Sequence, residues 1–334
     1  MAQLTAPQPN LGKIFDAMNA YQISMAIKGA LALELFTHID EGIATAEDLA
    51  KRSGATLKGV RVVCDFLAVN GLLAKQAGRY SLPLDSKFFL SKRSPAYVGA
   101  AVEFLHHPRL MNCFSDLSAT MMRGGATDDI LSDEGIWEEY ARSMTGIVAA
   151  VADAAAAVLQ QGGPIRNVLD IAAGHGLFGI QVAQSNPEVH VTALDSAAVL
   201  KVAVQNATVA GVDSRYTLLS GSAFDVDLGS GYDLVLLPNF IHALDFARNV
   251  ALLKRIREAM APGGRIAVIE FVPNEDRISP PSAAAFGLMM LGSLPGGDAY
   301  TFAEIAAMLM ESGFKNPKME DLLPTPQRMV TANA

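Results

Sequence analysis

Two hydrophobic periods divide the chain. Up to residue 95 apolar positions recur at helical spacing in short blocks closed by glycine. Thr45, with Asp48 three residues on, forms a capping box ahead of Leu49, and Gly54 closes that helix. Thr56 caps a second helix with Val60, Val63, Cys64 and Leu67 on one face, ended by Gly71. Leu72 to Ala74 and Tyr80 to Leu82 read as two short strands around Ala77 and Gly78. Helix, turn, helix and hairpin is the order of a winged helix, which raises DNA binding. The apolar segment Tyr21 to Phe36 argues instead for a dimerisation module. From 96 to 160 the pattern stays helical, with a polar break around Gly124 and Gly125. Trp137, Tyr140, Ala141 and Met144 recur there at helical spacing, a stripe that suits either core packing or a pocket wall.

From Arg166 the pattern changes to short aliphatic runs separated by amphipathic stretches. Val168 to Ile171, His190 to Leu194, Tyr216 to Leu219, Leu234 to Leu237 and Ile266 to Phe271 predict strands. Helices are predicted over 177–184, 197–210, 247–260 and 301–312. Strands alternating with helices predict an α/β, Rossmann-like doubly wound parallel sheet, with ligands at the carboxyl ends of its strands. The expected organisation is a winged-helix-like dimerisation domain (1–95), a helical connection lining the substrate pocket (96–160) and a cofactor-binding domain (161–334).

Charge and composition narrow the function. A net charge of −8 opposes polyanion binding, and the second helix and hairpin offer only Lys58, Arg61, Lys75 and Arg79, with Asp65 among them. No nucleic-acid partner is expected. With 51% hydrophobic and only 18% charged residues, apolar surface remains for a subunit interface, so a homodimer through the N-terminal domain is expected. Cys64 and Cys113 make no disulfide framework, which suits a reducing compartment. The start MAQLTAPQPN lacks the pattern of an export signal, and the stretch from Gly146 to Leu159 is too short to span a bilayer and carries Asp153. A cytoplasmic protein with no membrane partner is expected.

The chemistry gathers after the first and second strands of the C-terminal half. Asp170 is followed by Gly174, Gly176 and Gly179, a GxGxxG that alone would suggest a dinucleotide. Here, though, an acid stands at the strand end, four residues before the first glycine. A second acid, Asp195, ends the next strand, where it can accept hydrogen bonds from ribose hydroxyls. Glycines let the backbone approach a ligand without phosphates, and acids suit a cationic one.

This combination resembles the class I S-adenosylmethionine-dependent methyltransferases, whose loop runs D-x-G/A-x-G-x-G. Over nearly the whole chain, the order of modules is similar to the O-methyltransferase family of caffeate, hydroxyindole and bacterial polyketide enzymes. The resemblance implies S-adenosyl-L-methionine as cofactor, held by Asp170, Ala172, Gly174, Gly176 and Asp195, then by Ser222, Ala223, Phe224 and Asn239. It implies that His242, in Leu237-Pro238-Asn239-Phe240-Ile241-His242, is the catalytic base and that Glu270 orients it. A histidine suits proton removal near neutrality, and a carboxylate can fix its tautomer and support its charged form.

The chain departs from the plant enzymes in several places. Pro238 stands where they have lysine, and Ala243 and Ala299 stand where they have acids, leaving His242 one carboxylate partner. Gly221-Ser222-Ala223-Phe224 replaces a G-D-x-F stretch, so Ser222 and Phe224 would meet the adenine. Phe286, Met289 and Met290 on a predicted helix, with Trp137, Tyr140 and Met144, would contact a small, aromatic or polyketide-like acceptor. His175, inside the loop, would either contact the methionyl carboxylate or face solvent. His106 and His107, being adjacent, make no chelating pair; His38 and His190 are read as structural, and no metal is expected. Three rivals stay open. They are an S-, N- or C-methyltransferase that needs no base, a nicotinamide-dependent dehydrogenase, and a ligand-sensing DNA-binding regulator.

Overall fold

A computed structural model describes residues 9–334; residues 1–8, part of the segment read above for an export signal, lie outside it. The chain divides into two compact units between Val102 and Glu103.

The N-terminal unit is helical apart from one hairpin. Thr45 and Thr56 cap their helices as expected, accepting the N–H groups of Asp48 and Gly59 and starting helices Ala46–Ser53 and Leu57–Val69. Its core is built on Phe36, Leu49, Cys64 and Leu67. The apolar segment after Tyr21 is two helices, Tyr21–Ala32 and Leu35–Asp40, broken where Glu34 takes φ 53°. The hairpin is displaced from its expected register: its strands are β1 (Ala74–Gln76) and β2 (Arg79–Ser81). The N–H groups of Leu72 and Leu73 both turn back to the Leu67 carbonyl, and Leu73 is buried, so these leucines finish the helix and fill the core. Asp65 binds Lys75, Arg61 and Tyr80, so two of the expected cations are already paired.

The C-terminal unit is a seven-stranded sheet. Its strands are β3 (Asn167–Ile171), β4 (His190–Asp195), β5 (Tyr216–Ser220), β6 (Tyr232–Pro238), β7 (Met260–Glu270), β8 (Lys315–Asp321) and β9 (Arg328–Asn333). They lie in the order β5-β4-β3-β6-β7-β9-β8. The first five strands in sequence run parallel, and β9 enters antiparallel between β7 and β8. The C-terminal pair was not expected.

Alternation along the central strands divides the core into two layers, because successive side chains leave a strand on opposite faces. Leu169, Val235, Leu237, Ile266 and Val268 face one layer, with helices Phe246–Ala259 and Phe302–Glu311. Val168, Leu234, Leu236, Ala267 and Ile269 face the other, with Thr145–Leu159 and Leu177–Ser185. Both faces being covered, these strands carry continuous aliphatic runs. Among the described residues no single helix is long and apolar enough to cross a membrane. One bent helix pair passes on composition, but Val148, Val151, Ala152, Ala155 and Leu159 of its second helix are buried in the protein core.

Candidate active site

Parallel strands leave their carboxyl ends on one edge, and most of the expected residues stand there. After β3 the backbone is left-handed at Ala172 (φ 52°), Gly174 (φ 57°) and Gly176 (φ 75°), which curls the chain into a cradle before helix Leu177–Ser185. A side chain at Gly176 would crowd Ala203 at 3.1 Å, and one at Gly179 would meet Tyr216 Oη at 2.8 Å and Asp170 Oδ2 at 2.9 Å. Gly174 is different: its nearest neighbours would be 3.8 Å away, the Ala172 carbonyl and the Tyr140 ring. The first glycine therefore leaves room for a ligand, while the other two serve close packing.

The two acids differ in kind. Asp195 accepts the N–H of Gly174 at 2.9 Å and that of Ser196 at 2.7 Å, one on each oxygen, and so ties the cradle to β4. Asp170 is fully buried. Its Oδ2 accepts the N–H of Gly179 at 3.1 Å and its Oδ1 has no partner. Burial pushes its carboxyl up to about 8, with Gly179 opposing and Asp195 adding. Asp170 thus supports the cradle from beneath, whereas Asp195 is only partly buried at its edge.

His175 is buried, not solvent-facing. Its Nδ1 accepts the Leu177 N–H at 3.2 Å, and burial pulls its pKa down to about 4, so it is neutral. Two amide donors of the first helical turn, those of Leu177 and Gly179, are therefore taken by side chains. A pyrophosphate at this helix start would need such donors free, which counts against a dinucleotide. A cradle with open space at Gly174 and a carboxylate beside it fits a nucleoside whose charge is positive.

After β5, Ser222 accepts the Phe224 N–H at 3.1 Å, Ala223 is buried and the Arg248 guanidinium lies 5.2 Å over the Phe224 ring. Neither Ser222 nor Phe224 is buried, which keeps both available at that edge.

After β6 the chain turns left-handed at Asn239 (φ 51°) and enters the short turn Ile241–Ala243. This sets His242 beside Glu270, the last residue of β7. Glu270 Oε2 lies 2.8 Å from His242 Nδ1, and Oε1 accepts the His242 backbone N–H at 3.4 Å. A carboxylate at this position favours the tautomer with the ring proton on Nδ1, which faces Nε2 away from Glu270. The Phe286 ring meets the imidazole edge-on at 4.8 Å, and Phe271 stacks on Phe286 at 4.5 Å. The Asp298 N–H binds the His242 carbonyl at 3.0 Å, and a side chain at Gly297 would come within 2.5 Å of that same oxygen. Ala243 and Ala299 are buried, so Glu270 is the carboxylate bound to the imidazole among the described residues.

The six expected acceptor residues fall into one apolar cluster that includes Ala243, next to the histidine. Trp137 and Tyr140 come from helix Glu134–Ser143 with Met144 at its end, and Phe286, Met289 and Met290 come from helix Pro281–Ser293. Tyr140 spans two parts of the site. Its ring stacks at 6.0 Å on His175 of the cradle, while burial, and then the charge of Glu270, raise its phenol pKa. Sequence reasoning missed Phe271, Arg248, Asn206 and Gln327. Phe271 was next to Glu270 and could have been found. Asn206, which binds the His175 carbonyl at 2.8 Å, and Gln327, which binds the Asn239 side chain at 2.8 Å, carry no local signal. No group of three or more metal-ligating side chains occurs among the described residues.

The model of the O-methyltransferase domain matches residues 123–315, more than half of the chain, and that of the O-methyltransferase dimerisation domain matches 15–92. A candidate O-methyltransferase from Nostoc punctiforme PCC 73102 is 44% identical, with a TM-score of 0.94 over 98% of this chain and 100% of that one. The 3-hydroxy-5-methyl-1-naphthoate 3-O-methyltransferase of Streptomyces sahachiroi is 24% identical over 87% of this chain and 85% of its own length. Human N-acetylserotonin methyltransferase, solved with S-adenosylmethionine, shares the fold at 19% identity and a TM-score of 0.84, covering 98% of this chain and 99% of its own. The chain belongs to this O-methyltransferase family and is an S-adenosyl-L-methionine-dependent enzyme.

Proposed function

We propose that this chain methylates a hydroxyl of a small aromatic or polyketide-like molecule, with His242 as general base and Glu270 as the residue that holds it. One observation carries the reading. Glu270 accepts the backbone N–H of His242 and lies 2.8 Å from its Nδ1, an arrangement that favours the tautomer with Nε2 as the acceptor at the carboxyl edge of the sheet. S-Adenosyl-L-methionine supplies an already electrophilic methyl group, so the chain has only to align the reactants and receive a proton. Asp195, Ala172, Gly174, Gly176 and the Ser222–Phe224 turn would hold it, with Asn239 at the neighbouring strand end and Asp170 beneath. His242 would take the hydroxyl proton, and Glu270 would stabilise the imidazolium.

The apolar cluster supports an aromatic acceptor, since its walls offer rings and methionines. The naphthoate named for the Streptomyces sahachiroi relative is an acceptor of that kind. A screen of phenols, amines and thiols with labelled cofactor tests this. Label is expected on phenols, and labelled amines or thiols alone would reject it. A second reading, transfer without a base, is favoured by Ala243 and Ala299, which leave the imidazole a single acid.

The same reading makes the protein a cytoplasmic homodimer through its winged-helix-like N-terminal unit. Helix Leu11–Met18 has no buried residue, and Leu11, Ile14, Phe15 and Met18 form an exposed apolar stripe that Tyr21 and Met25 continue.

A further inference from the structure

Gln327 stands just before β9, whose first residue, Arg328, pairs with Glu270 across the ladder. Because β7 lies between β6 and β9, the Gln327 side chain must cross the carboxyl end of β7 to reach Asn239 after β6. It does so: its Nε2 donates to Asn239 Oδ1 at 2.8 Å, and the residue is only 5% exposed. Its own side-chain oxygen, Oε1, has no partner. Turning both amides around would instead orphan a buried NH₂, which carries two donors, so the direction given leaves less unsatisfied.

Asn239 occupies the left-handed corner from which the chain turns into Ile241–Ala243, a conformation that Asn adopts more readily than most non-glycine residues. Two hydrogen bonds hold that corner. The Asn239 N–H donates to the Ile269 carbonyl at 2.8 Å, next to Glu270, and Gln327 holds the side chain. The amide oxygen being taken, the NH₂ half of Asn239 is the part left for a ligand.

We infer that Gln327 is a positioning residue of the methyl-transfer site, acting through Asn239 to fix the corner that carries His242. The effect on turnover rests on the base reading above. The hydrogen-bonded coupling of Gln327 to Asn239 does not. Three variants of the full chain test it: Q327M, which keeps length and volume but removes the amide, N239A, and the double variant. Q327M and N239A are each expected to lower kcat about 10–100-fold, the scale of a misplacement near 1 Å. The double variant should be no slower than the slower single one, since both changes break one bond. Q327M should bind S-adenosylhomocysteine within about threefold of wild type by calorimetry, and the acidic limb of its kcat–pH profile should move.

Unchanged kcat in Q327M, a lowered melting temperature with kcat and pH profile intact, or losses that multiply in the double variant would each overturn the inference. Should Q327M not fold, N239D replaces it. Its carboxylate can still accept from Gln327, so it should keep more kcat than N239A, and equal losses would count against the coupling. H242Q measured alongside separates the two readings. Wild-type turnover there rejects the base, while the Gln327–Asn239 cycle is scored on its own.

Discussion

Replacing Asp170 by Asn should flatten the dependence of stability on pH. Asp170 is fully buried with one oxygen unpartnered, and burial pushes its carboxyl up to about 8. An unfolded aspartate titrates near 3.9. Between roughly pH 4 and pH 8 the folded protein therefore holds a proton that the unfolded chain has lost. The contribution is complete below the unfolded pKa and is lost as the pH rises through the folded one. Its slope is about −1.4 kcal/mol per pH unit. Asn is nearly isosteric, can still accept from Gly179 and does not titrate. From about pH 5.5 to 7.5 the variant should thus gain about 3 kcal/mol relative to wild type. For a unit of this size that is roughly 6–12 °C in Tm. Thermal unfolding of the cofactor-free protein, followed by circular dichroism at several pH values, measures it. Curves of Tm against pH that run parallel for the two proteins would refute the protonated, ligand-independent role of Asp170.

Other outcomes follow from the same contacts. Glu270→Gln can accept only one of the two N–H groups that the carboxylate accepts, which drives the ring proton toward Nε2. Turnover should fall ~10²–10⁴-fold with S-adenosylhomocysteine affinity nearly unchanged, read by initial rates and calorimetry. Phe15→Glu places a charge in the exposed apolar stripe, and sedimentation should show monomer where wild type shows dimer; a persistent dimer places the interface elsewhere.

Much of this was legible in the sequence, for identifiable reasons. Strands such as Val168–Ile171 and Leu234–Leu237 were visible because a parallel sheet covered on both faces demands unbroken aliphatic runs. Helix ends were visible where side chains cap them, as at Thr45 and Thr56. The hairpin slipped because Leu72 and Leu73 look like strand residues but are recruited by the Leu67 carbonyl. β8 was hidden by its largely exposed, charged face at the sheet edge and by Asn316 at φ 55°, and β9 because Arg328, Thr331 and Asn333 interrupt its aliphatic run. Within the site, chemistry that follows a strand end was readable: Asp170, Asp195, His242 and Glu270 each stand there. What those acids touch was not, since Asp170 turns beneath the helix while Asp195 holds the loop. Gln327 was unreadable, because its partner is 88 residues away and nothing in Pro324-Thr325-Pro326-Gln327 marks it.

The most direct measurement is the rate of methyl transfer to a phenolic acceptor by His242→Gln, with S-adenosylhomocysteine binding measured on the same preparation. If the imidazole removes the proton, turnover drops ~10²–10⁴-fold while the affinity stays within about twofold. Turnover equal to wild type, on a protein that binds the cofactor product normally, would contradict a proton acceptor at this position.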